Sequence, residues 1–597
     1  MAEPLLLKPK PGPPFGTGVT RRRPSRRVGG LVWTSGTAEQ TRAAAAGLER
    51  ALGPGAQLLD PDHGRALVAD WDACWLDGRR IETLAQWSTL VAAGRLGEVN
   101  GAFALAWFAD GELHLARDGV GERTLYYARL PHGWIFASTI HALLASGLVP
   151  RALNLRGVAA YLSYAYLPGE ETLVEGVSEL LPGEVVLLPR GRGQPRHETF
   201  WSVPPEGDTQ APVSPEQEEA LRHHLRAELE GAVSRRLPPG EKVGAFLSGG
   251  IDSSLVVALA KRLHDQELIT YSVSFGPEYR NELPFSTLVA EHCRTTHRIV
   301  ELSPKVILHH LDETIALHSD PIGDPLTVPN SLLFREASTE VGVVLNGEGG
   351  DPCFGGPKNL PMLLAELYGD VAVAEDAPLA RERSYVRAHL KCFDDFEEAL
   401  SSKMKSVVAE RPLEASLKPL FADPRWKTFV GKLTALNLIL KGAHHILHKV
   451  DEVSAPFGML PRAPLFDRQV VELAYNLPPQ FKLKGSVEKY LLKRAVEDLL
   501  PREIIDRPKS GMLVPVEGWF QGPLLPEARA RLLDGLGPWE LFDRKWLERL
   551  LSGKLGGLRP RHGVKIWLLI TLEAWLRTVF ARRDNPIRHE HQPSAPM

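Results

Sequence analysis

The chain has 597 residues, of which 44% are hydrophobic and 24% charged, and its formal net charge is −3. A chain of this length normally divides into two or more domains. The composition is that of a folded globular protein, which excludes disordered, collagen-like and disulfide-rich classes. The nearly balanced charge gives no overall basic field, so nucleic acid is not an expected partner.

Two further properties of the sequence bear on where the protein acts. The four cysteines form no CxxC pair, so neither a zinc ribbon nor a redox dithiol is expected, and a reducing cytoplasm is the simplest compartment. No apolar run reaches the ~18 residues that a membrane-spanning helix needs. The first residues also lack the apolar segment of a secretion signal. We therefore expect a cytoplasmic protein without a membrane partner.

The first third of the chain predicts a β-rich domain. Residues 1–27 are rich in proline and arginine and predict a mobile arm, because they offer little apolar surface to bury. Within the expected domain 28–203, two strand-like runs in 103–117 are joined by Asp110-Gly111, a pair that suits a type I′ hairpin turn. Further strands are predicted at 124–130, 133–138 and 183–189, and helices at 38–52 and 154–163. Together these elements indicate an α+β domain.

The rest of the chain predicts a different architecture. Residues 204–219 are proline-rich and polar and predict a linker. In the expected domain 220–582, strands predicted at 243–247, 268–275, 297–302 and 342–346 alternate with helices at 253–263, 285–294, 305–317 and 329–340. Such alternation predicts a parallel, doubly wound sheet, which binds ligands at the C-terminal ends of its strands. Residues 360–580 predict mostly helices, and 583–597 a flexible tail.

The most informative segment is Ser248-Gly249-Gly250-Ile251-Asp252-Ser253, which lies between a predicted strand and a predicted helix. Glycines allow close approach of the backbone, and the free N–H groups at a helix N-terminus attract an anion. Asp252 would oppose a phosphate directly and is therefore a candidate Mg²⁺ ligand. The segment is not a GxxxxGK[ST] loop, so transfer of the γ-phosphoryl group is not expected. A glycine-rich turn without a ligand is the alternative, but the strand–helix context favours phosphate binding.

This segment resembles the SGGxDS loop of ATP pyrophosphatases. Four more segments resemble motifs of asparagine synthetases and their relatives, in the order in which that family has them: 345–356 (GEGxDExFGG), 462–467 (RxPFLD), 488–492 (KYLLR) and 507–511 (RPKxG). Residues 117–138 resemble the glutaminase domain of the same family. The resemblance covers about 28–580. It implies a β-sandwich domain like the N-terminal-nucleophile glutaminases, then an α/β ATP-pyrophosphatase domain with a parallel sheet and a helical extension.

The resemblance implies that ATP and Mg²⁺ activate a carboxylate by attack on the α-phosphorus, and that an amine then attacks the adenylate to form an amide. Lys509 would stabilise negative charge, Lys489 would contact pyrophosphate and Glu348 would be the general base. Asp324 matches another acidic position lining the nucleotide loop. The implied Mg²⁺ ligands are Asp252 and Asp351. The implied nucleotide-binding residues are Leu247, Ser248, Gly249, Gly250, Asp252, Ser253, Ser274 and Gly347. Taken singly, Asp351 could cap a helix and Lys489 could be a solvated charge on a helix; their joint spacing favours the site.

The sequence also departs from the family at its N-terminal half. Family members with a working glutaminase begin at a cysteine whose thiol attacks glutamine, whereas here the corresponding strand starts at Val28 behind a 27-residue arm. Cys74 has no free amine, and Asn100-Gly101 stands where Asp-Gly is usual. We therefore expect a structural domain that does not hydrolyse glutamine.

The acyl-substrate side departs as well. Pro352, Pro357 and Leu460 replace polar residues of the family pattern, which argues against a compact aspartate pocket, because a buried charged substrate needs paired partners. Both departures favour the relatives that close a ring with an amine on the substrate itself, the β-lactam synthetases and lasso-peptide cyclases. A peptide macrolactam is the preferred product, made from a leader-processed precursor peptide, with the processing protease as a possible partner.

Other interpretations stay open. An asparagine synthetase that uses ammonia is one, a sulfur-transfer or RNA-modifying enzyme with the same loop is a second, and a non-catalytic homologue is a third. His444 and His448 are four residues apart, a spacing that ligands on a helix use, but no third ligand is evident. With His445 they predict a helix face that contacts substrate rather than a zinc site.

Overall fold

The computed structural model describes residues 5–7, 27–32, 37–61, 64–191, 193–207, 214–279, 281–355, 379–388, 392–508, 514–552 and 562–580. Lys509, Pro357, most of the predicted arm and the predicted tail 583–597 lie outside these residues. Among the described helices, none combines the length and the apolar character that crossing a bilayer requires.

The described strands form four sheets. Their bounds are β1 Leu5–Leu7, β2 Val28–Val32, β3 Gln57–Leu59, β4 Leu67–Leu76, β5 Arg79–Arg80, β6 Asn100–Ala109, β7 Glu112–Arg117, β8 Tyr126–Leu130, β9 Gly133–Ala137, β10 Val177–Glu179, β11 Glu184–Leu188, β12 Arg196–Thr199, β13 Val243–Phe246, β14 Leu268–Ser274, β15 Thr296–Glu301, β16 Val343–Leu345, β17 Leu460–Arg462, β18 Leu483–Lys484 and β19 Val487–Glu488.

The α-helices lie around these sheets. They are α1 Ala38–Leu52, α2 Leu84–Ala92, α3 Ile140–Ala145, α4 Leu155–Tyr164, α5 Pro215–Arg236, α6 Ile251–Leu263, α7 Leu283–His292, α8 Pro304–Ile315, α9 Thr327–Ala337, α10 Gly350–Phe354, α11 Ala380–Ala388, α12 Phe396–Ala399, α13 Ser402–Glu410, α14 Lys418–Ala422, α15 Phe429–Leu436, α16 His448–Ser454, α17 Arg468–Asn476, α18 Tyr490–Val496, α19 Arg502–Ile505, α20 Val516–Gln521, α21 Leu525–Ala530, α22 Arg544–Leu551 and α23 His562–Val579. A π-helix over Asn437–Leu447 leads directly into α16.

The N-terminal domain is a sandwich of two sheets, ordered β10-β8-β9-β2-β3 and β12-β11-β7-β6-β4-β5. The strand β6 shows how the sequence produces it, because its side chains alternate between two buried faces. Ala104 and Ala106 pack into the core between the sheets, while Phe103 and Leu105 pack under α2. The predicted hairpin turn joins β6 to β7, and Asp110 and Gly111 both have positive φ, 52° and 77°, as a type I′ turn requires.

The C-terminal domain has a sheet that is parallel throughout, ordered β1-β15-β14-β13-β16-β17. The chain runs outward from β13 through β14 to β15, then returns to β13's other side with β16. The connections that leave β13 and β16 therefore run in opposite directions along the sheet. A crevice forms between them, beyond the C-terminal ends of these two strands. This is the doubly wound α/β domain that the alternating pattern predicted, and the predicted fold class of both domains is confirmed.

Some local predictions differ from the structure. Leu5–Leu7 belong to the predicted mobile arm but form β1, which pairs with β15 through Leu5↔Arg298 and Leu7↔Val300. The last five residues of the predicted linker, 215–219, are helical because Ser214 caps α5 and Pro215 occupies its first turn. Earlier in the linker, the buried Glu206 carboxylate accepts hydrogen bonds from the backbone N–H groups of residues 427 and 428, at 2.9 and 2.7 Å. These parts of the arm and linker are ordered because their backbone or side chains have partners far along the chain.

Candidate active site

The predicted phosphate loop, residues 248–253 and called the phosphate loop below, lies at the C-terminal end of β13. Gly249 has φ +74°, and a Cβ there would lie 2.5 Å from the Ser286 nitrogen, so only glycine fits. The Ser253 hydroxyl accepts a hydrogen bond from the Ser248 nitrogen at 3.2 Å and donates to the Gly250 carbonyl at 3.2 Å. Helix α6 begins at residue 251, two residues earlier than predicted, and no side chain caps it. Its first N–H groups are therefore available to an anion.

A second loop, residues 346–351 after β16, packs directly against the first. A Cβ on Gly347 would lie 2.4 Å from the Ser253 nitrogen, and a Cβ on Gly350 would lie 2.1 Å from Asp252 Oδ1. Glycine at both positions is thus what allows the two loops to meet. The close contact between the two loops therefore explains why the motif in this segment is rich in glycine. It brings Asp351, in the first turn of α10, to the same edge of the sheet as Asp252.

Lys489 lies between the two aspartates. Its side chain is 1% exposed, and its Nζ donates to Asp252 Oδ2 at 2.5 Å and forms an ion pair with Asp351 Oδ1. The hairpin β18–β19 delivers this lysine, which has φ 54° at the start of α18. The alternative interpretation of Lys489 as a solvated helix charge is therefore wrong. Asp252 and Lys489, 237 positions apart in sequence, form a buried pair, and Asp351 beside them is about one-third exposed.

This cluster fits a divalent cation. Two carboxylates converge on one point at the mouth of the phosphate loop, and hard cations such as Mg²⁺ prefer oxygen ligands of this kind. Asp252 and Asp351 are the residues that could hold it, and Lys489 supplies a fixed positive charge beside them. The arrangement can therefore place both metal and ammonium charge against a nucleotide phosphate.

The remaining predicted site residues are placed as follows. Leu247 and Ser274 are buried at the C-terminal ends of β13 and β14, and the Ser274 hydroxyl accepts a hydrogen bond from the Gly276 nitrogen at 3.2 Å. Glu348 is half-buried in the second loop, and its side chain makes no hydrogen bond or ion pair with another described residue. These positions border the crevice, and their contacts with a nucleotide stay predictions. Lys509 lies outside the described residues.

Sequence reasoning gave no role to Arg507, which fastens the phosphate loop from the side. Its Nη1 donates to the Gly249 carbonyl at 3.0 Å and its Nη2 to Glu282 Oε1 at 2.6 Å, while its guanidinium lies 3.8 Å from the centre of the Phe285 ring. The sequence feature that could have identified Arg507 was its position as the first residue of the segment 507–511. The arginine links that segment to the loop before any nucleotide is bound.

Asp324 has no described contact with the nucleotide loop. Its carboxylate instead accepts a hydrogen bond from Lys449 Nζ at 2.7 Å and pairs with His445 at 3.4 Å. Burial would raise the pKa of Asp324, but Lys449 and His445 hold it well below its usual range. The residue belongs to a buried ion-pair network, so its expected place lining the loop is not what the described contacts show.

The three histidines are also part of buried networks. His444 pairs with Glu179 at 3.1 Å and His448 with Glu452 at 2.9 Å, and both histidines are buried. These two buried histidines therefore do not form an exposed helix face for substrate, whereas substrate contact by the half-buried His445 stays a prediction. His318, His448 and Glu452 come within 4.8 Å of one another. However, hydrogen bonds from the two histidines and Ser319 already engage the Glu452 carboxylate, which accounts for the cluster without a metal.

The one cysteine of the N-terminal domain, Cys74, is not placed to act as a nucleophile. Cys74 is fully buried and donates its thiol to the Ala102 carbonyl, and burial raises its pKa well above the usual range. A thiol without ready ionisation is a poor nucleophile. At Val28 the backbone nitrogen is a peptide N–H that donates to the Ser138 hydroxyl at 2.9 Å. Neither position offers the free amine and thiolate that glutamine hydrolysis by this fold would need.

Buried polar contacts join the two domains instead. Asn100 donates its side-chain N–H to Asp467 Oδ1 at 2.9 Å and accepts from the Arg468 nitrogen at 3.2 Å. An aspartate at position 100 would place a second carboxylate against Asp467. Asp72 accepts two hydrogen bonds from Arg462 on β17. Separating the two domains would leave these buried charges unpaired, which costs free energy. The contacts therefore hold the domains together.

Comparison with known proteins gives the following matches. The model of the family described as asparagine synthase matches residues 224–577, and that of the glutamine amidotransferase domain matches 81–201. Glutamine-hydrolysing asparagine synthetase 1 of Bacillus subtilis is 24% identical over 519 residues, covering 83% of this chain and 80% of that protein. Carboxyethyl-arginine β-lactam synthase of Streptomyces clavuligerus is 27% identical over 425 residues, covering 69% of this chain and 64% of that protein.

Proposed function

The chain belongs to the asparagine synthase family and is an ATP-dependent carbon–nitrogen ligase, and from this we propose that it adenylates a peptide carboxylate and closes it with an amine of the same molecule. The product is a lactam ring, and the released products are pyrophosphate and AMP. The observation that carries the proposal is the cluster of the buried Asp252 and Lys489 with the half-buried Asp351, beside an uncapped helix N-terminus. With Mg²⁺ bound by the two carboxylates, such a cluster would place positive charge where a triphosphate is cleaved.

Each residue of the crevice has a role in the proposal. Asp252 and Asp351 hold Mg²⁺, which when bound neutralises phosphate charge. Lys489 keeps the phosphates in place. Lys509 stabilises negative charge in both chemical steps, and Glu348 takes the proton from the attacking amine. The half-buried setting of Glu348, without a partner among the described residues, leaves its carboxylate available for that proton.

We prefer ring closure to a reaction with ammonia because the N-terminal domain has no described group that would release ammonia from glutamine. Cys74 is buried and Val28 is an internal peptide residue, so no described group of the N-terminal domain supports glutamine hydrolysis. An amine carried by the substrate needs no ammonia. The likeness to a protein named as a β-lactam synthase supports the same preference. A leader-processed precursor peptide in the cytoplasm is the proposed substrate, and its processing protease the proposed partner.

The test is carboxylate-dependent exchange of labelled pyrophosphate into ATP, with the full chain and precursor peptides encoded beside this protein. The proposal expects exchange with a peptide, followed by AMP and a product that has lost one water. An asparagine synthetase that uses ammonia is the second candidate, favoured by the asparagine synthetase relative. Aspartate with free ammonia yielding asparagine would establish that candidate and overturn ring closure. Formation of ADP would overturn both.

A further inference from the structure

A shallow pocket opens beside the first turn of α6. It is lined by Gly250 and Ile251, by the acidic Glu488 and by three cationic residues, Lys489, Lys493 and Arg507, so that cations outnumber carboxylates. The helix N-terminus contributes N–H groups without a side-chain cap. A cavity of this composition fits an anion with several oxygen atoms.

Two of the three cations already have anionic partners. Lys489 is paired with Asp252 and Asp351, and Arg507 is paired with Glu282 at 2.6 Å. Both side chains are therefore fixed, and their positive charge is largely matched by carboxylates before any ligand arrives. Neither contributes a free charge to the pocket.

Lys493 differs from them. Its side chain is half-buried on α18, one turn beyond Lys489. Its hydrogen bond within the described part of the chain is a long one, 3.4 Å from Nζ to the Arg507 carbonyl. Burial and the neighbouring charge of Lys489 lower its pKa, against the opposing charges of Glu488 and Asp506. A half-buried ammonium without a carboxylate in contact costs free energy, which an anion in the pocket would offset.

We propose that Lys493 binds the pyrophosphate end of ATP and holds it as it leaves. The inference rests on the proposed function. In that reaction a carboxylate oxygen forms a bond to the α-phosphorus, while the bond from this phosphorus to the bridging oxygen breaks. The bonding electron pair leaves with pyrophosphate, which gains negative charge beside the Lys493 ammonium. Arg507 is a positioning residue here, because it holds the Gly249 carbonyl and thereby the loop.

The experiment measures binding of inorganic pyrophosphate with Mg²⁺ to the full chain by calorimetry, without an acyl substrate. Lys493→Met is compared with Lys493→Arg and with Arg494→Met, whose side chain is 42% exposed and paired with Glu497. A charged hydrogen bond predicts that Lys493→Met weakens pyrophosphate binding about ten- to a hundredfold. Lys493→Arg should stay within about threefold of wild type, since the charge remains, and Arg494→Met should bind as wild type does.

AMP serves as the internal control, because it carries no β- or γ-phosphate. AMP binding should be the same in wild type and Lys493→Met, with circular dichroism reporting that both are folded. Equal pyrophosphate affinity in these two proteins would overturn the role of Lys493 while leaving the proposed function intact. Parallel loss of AMP and pyrophosphate binding would also overturn it, since the effect would then be general damage to the site. A wild-type protein that binds no pyrophosphate would overturn the proposed function itself.

Discussion

Asp72→Ala removes one carboxylate from the junction between the two domains. In the intact pair, Arg462 donates from Nε to Asp72 Oδ2 at 2.7 Å and from Nη2 to Oδ1 at 2.8 Å. The two side chains are only 3% and 2% exposed. The substitution would leave a buried guanidinium with its remaining hydrogen bond from Nη1 to the Arg236 carbonyl.

The size of the effect follows from that burial. Removing one partner of a buried ion pair costs about 3–5 kcal/mol, because the other charge stays desolvated and uncompensated. Arg462 lies on β17, pairs in register with Leu345 and accepts the Asn346 N–H through its carbonyl at 3.0 Å. Loss of the Asp72–Arg462 ion pair should therefore increase the fraction of molecules in which β16 and β17 are locally unfolded. At about 1.4 kcal/mol per tenfold, 3 kcal/mol raises the opening equilibrium more than about a hundredfold.

The assay is hydrogen–deuterium exchange of the full chain, followed in peptides that contain β16 and β17. Glu98→Ala is the matched control, since it breaks an ion pair with Arg95 that is exposed to solvent and therefore contributes little to stability. The double variant Asp72→Leu with Arg462→Met should recover much of the protection, because apolar replacement of both partners is often close to neutral. Exchange in Asp72→Ala that matches Glu98→Ala would refute the reasoning.

Three further outcomes are expected. Lys509→Ala should abolish turnover while ATP still binds, and undiminished product formation would refute the role given to this lysine. Cys74→Ala should leave pyrophosphate exchange unchanged, and neither it nor wild type should release glutamate from glutamine; glutamate release would reveal a working glutaminase. Burial alone would lower the pKa of His448, but the Glu452 carboxylate outweighs it and raises the pKa to about 9. Since the unfolded pKa is about 6.5, this stabilisation is complete below about pH 6.5 and is lost as the pH rises through about 9. The wild-type melting temperature should fall over that window more steeply than that of His448→Gln, and parallel curves would contradict this assignment.

The sequence predicted the strand–loop–helix geometry at residues 248–253 well because its signals are local. A strand, two glycines and a helix start lie within a dozen residues, and each has a physical reason that can be read without knowing the rest of the fold. The start of the helix differs by only two residues, since α6 begins at Ile251 rather than at Ser253. Glycine spacing also indicated the second loop, where Gly347 and Gly350 meet the first.

Contacts between distant segments were harder to predict. Nothing near His444 in the sequence indicates that its partner is Glu179, 265 residues away in the other domain. The same limit applies to Lys489, whose two carboxylates come from separate loops. Short edge strands escape pattern reading as well. In β17 the residue Pro461 breaks the usual strand composition, and it is tolerated because, among the described strands, β17 lies at the edge of its sheet.

The first strand carries a practical consequence for anyone who trims or tags the N-terminus. β1 covers the outer edge of β15 with three parallel-paired leucines, two of them about half exposed. Deleting residues 1–7 would bare the backbone N–H and C=O groups of β15, and bared strand edges recruit one another between molecules. Such a truncated protein should aggregate during expression even though every residue of the crevice is still present.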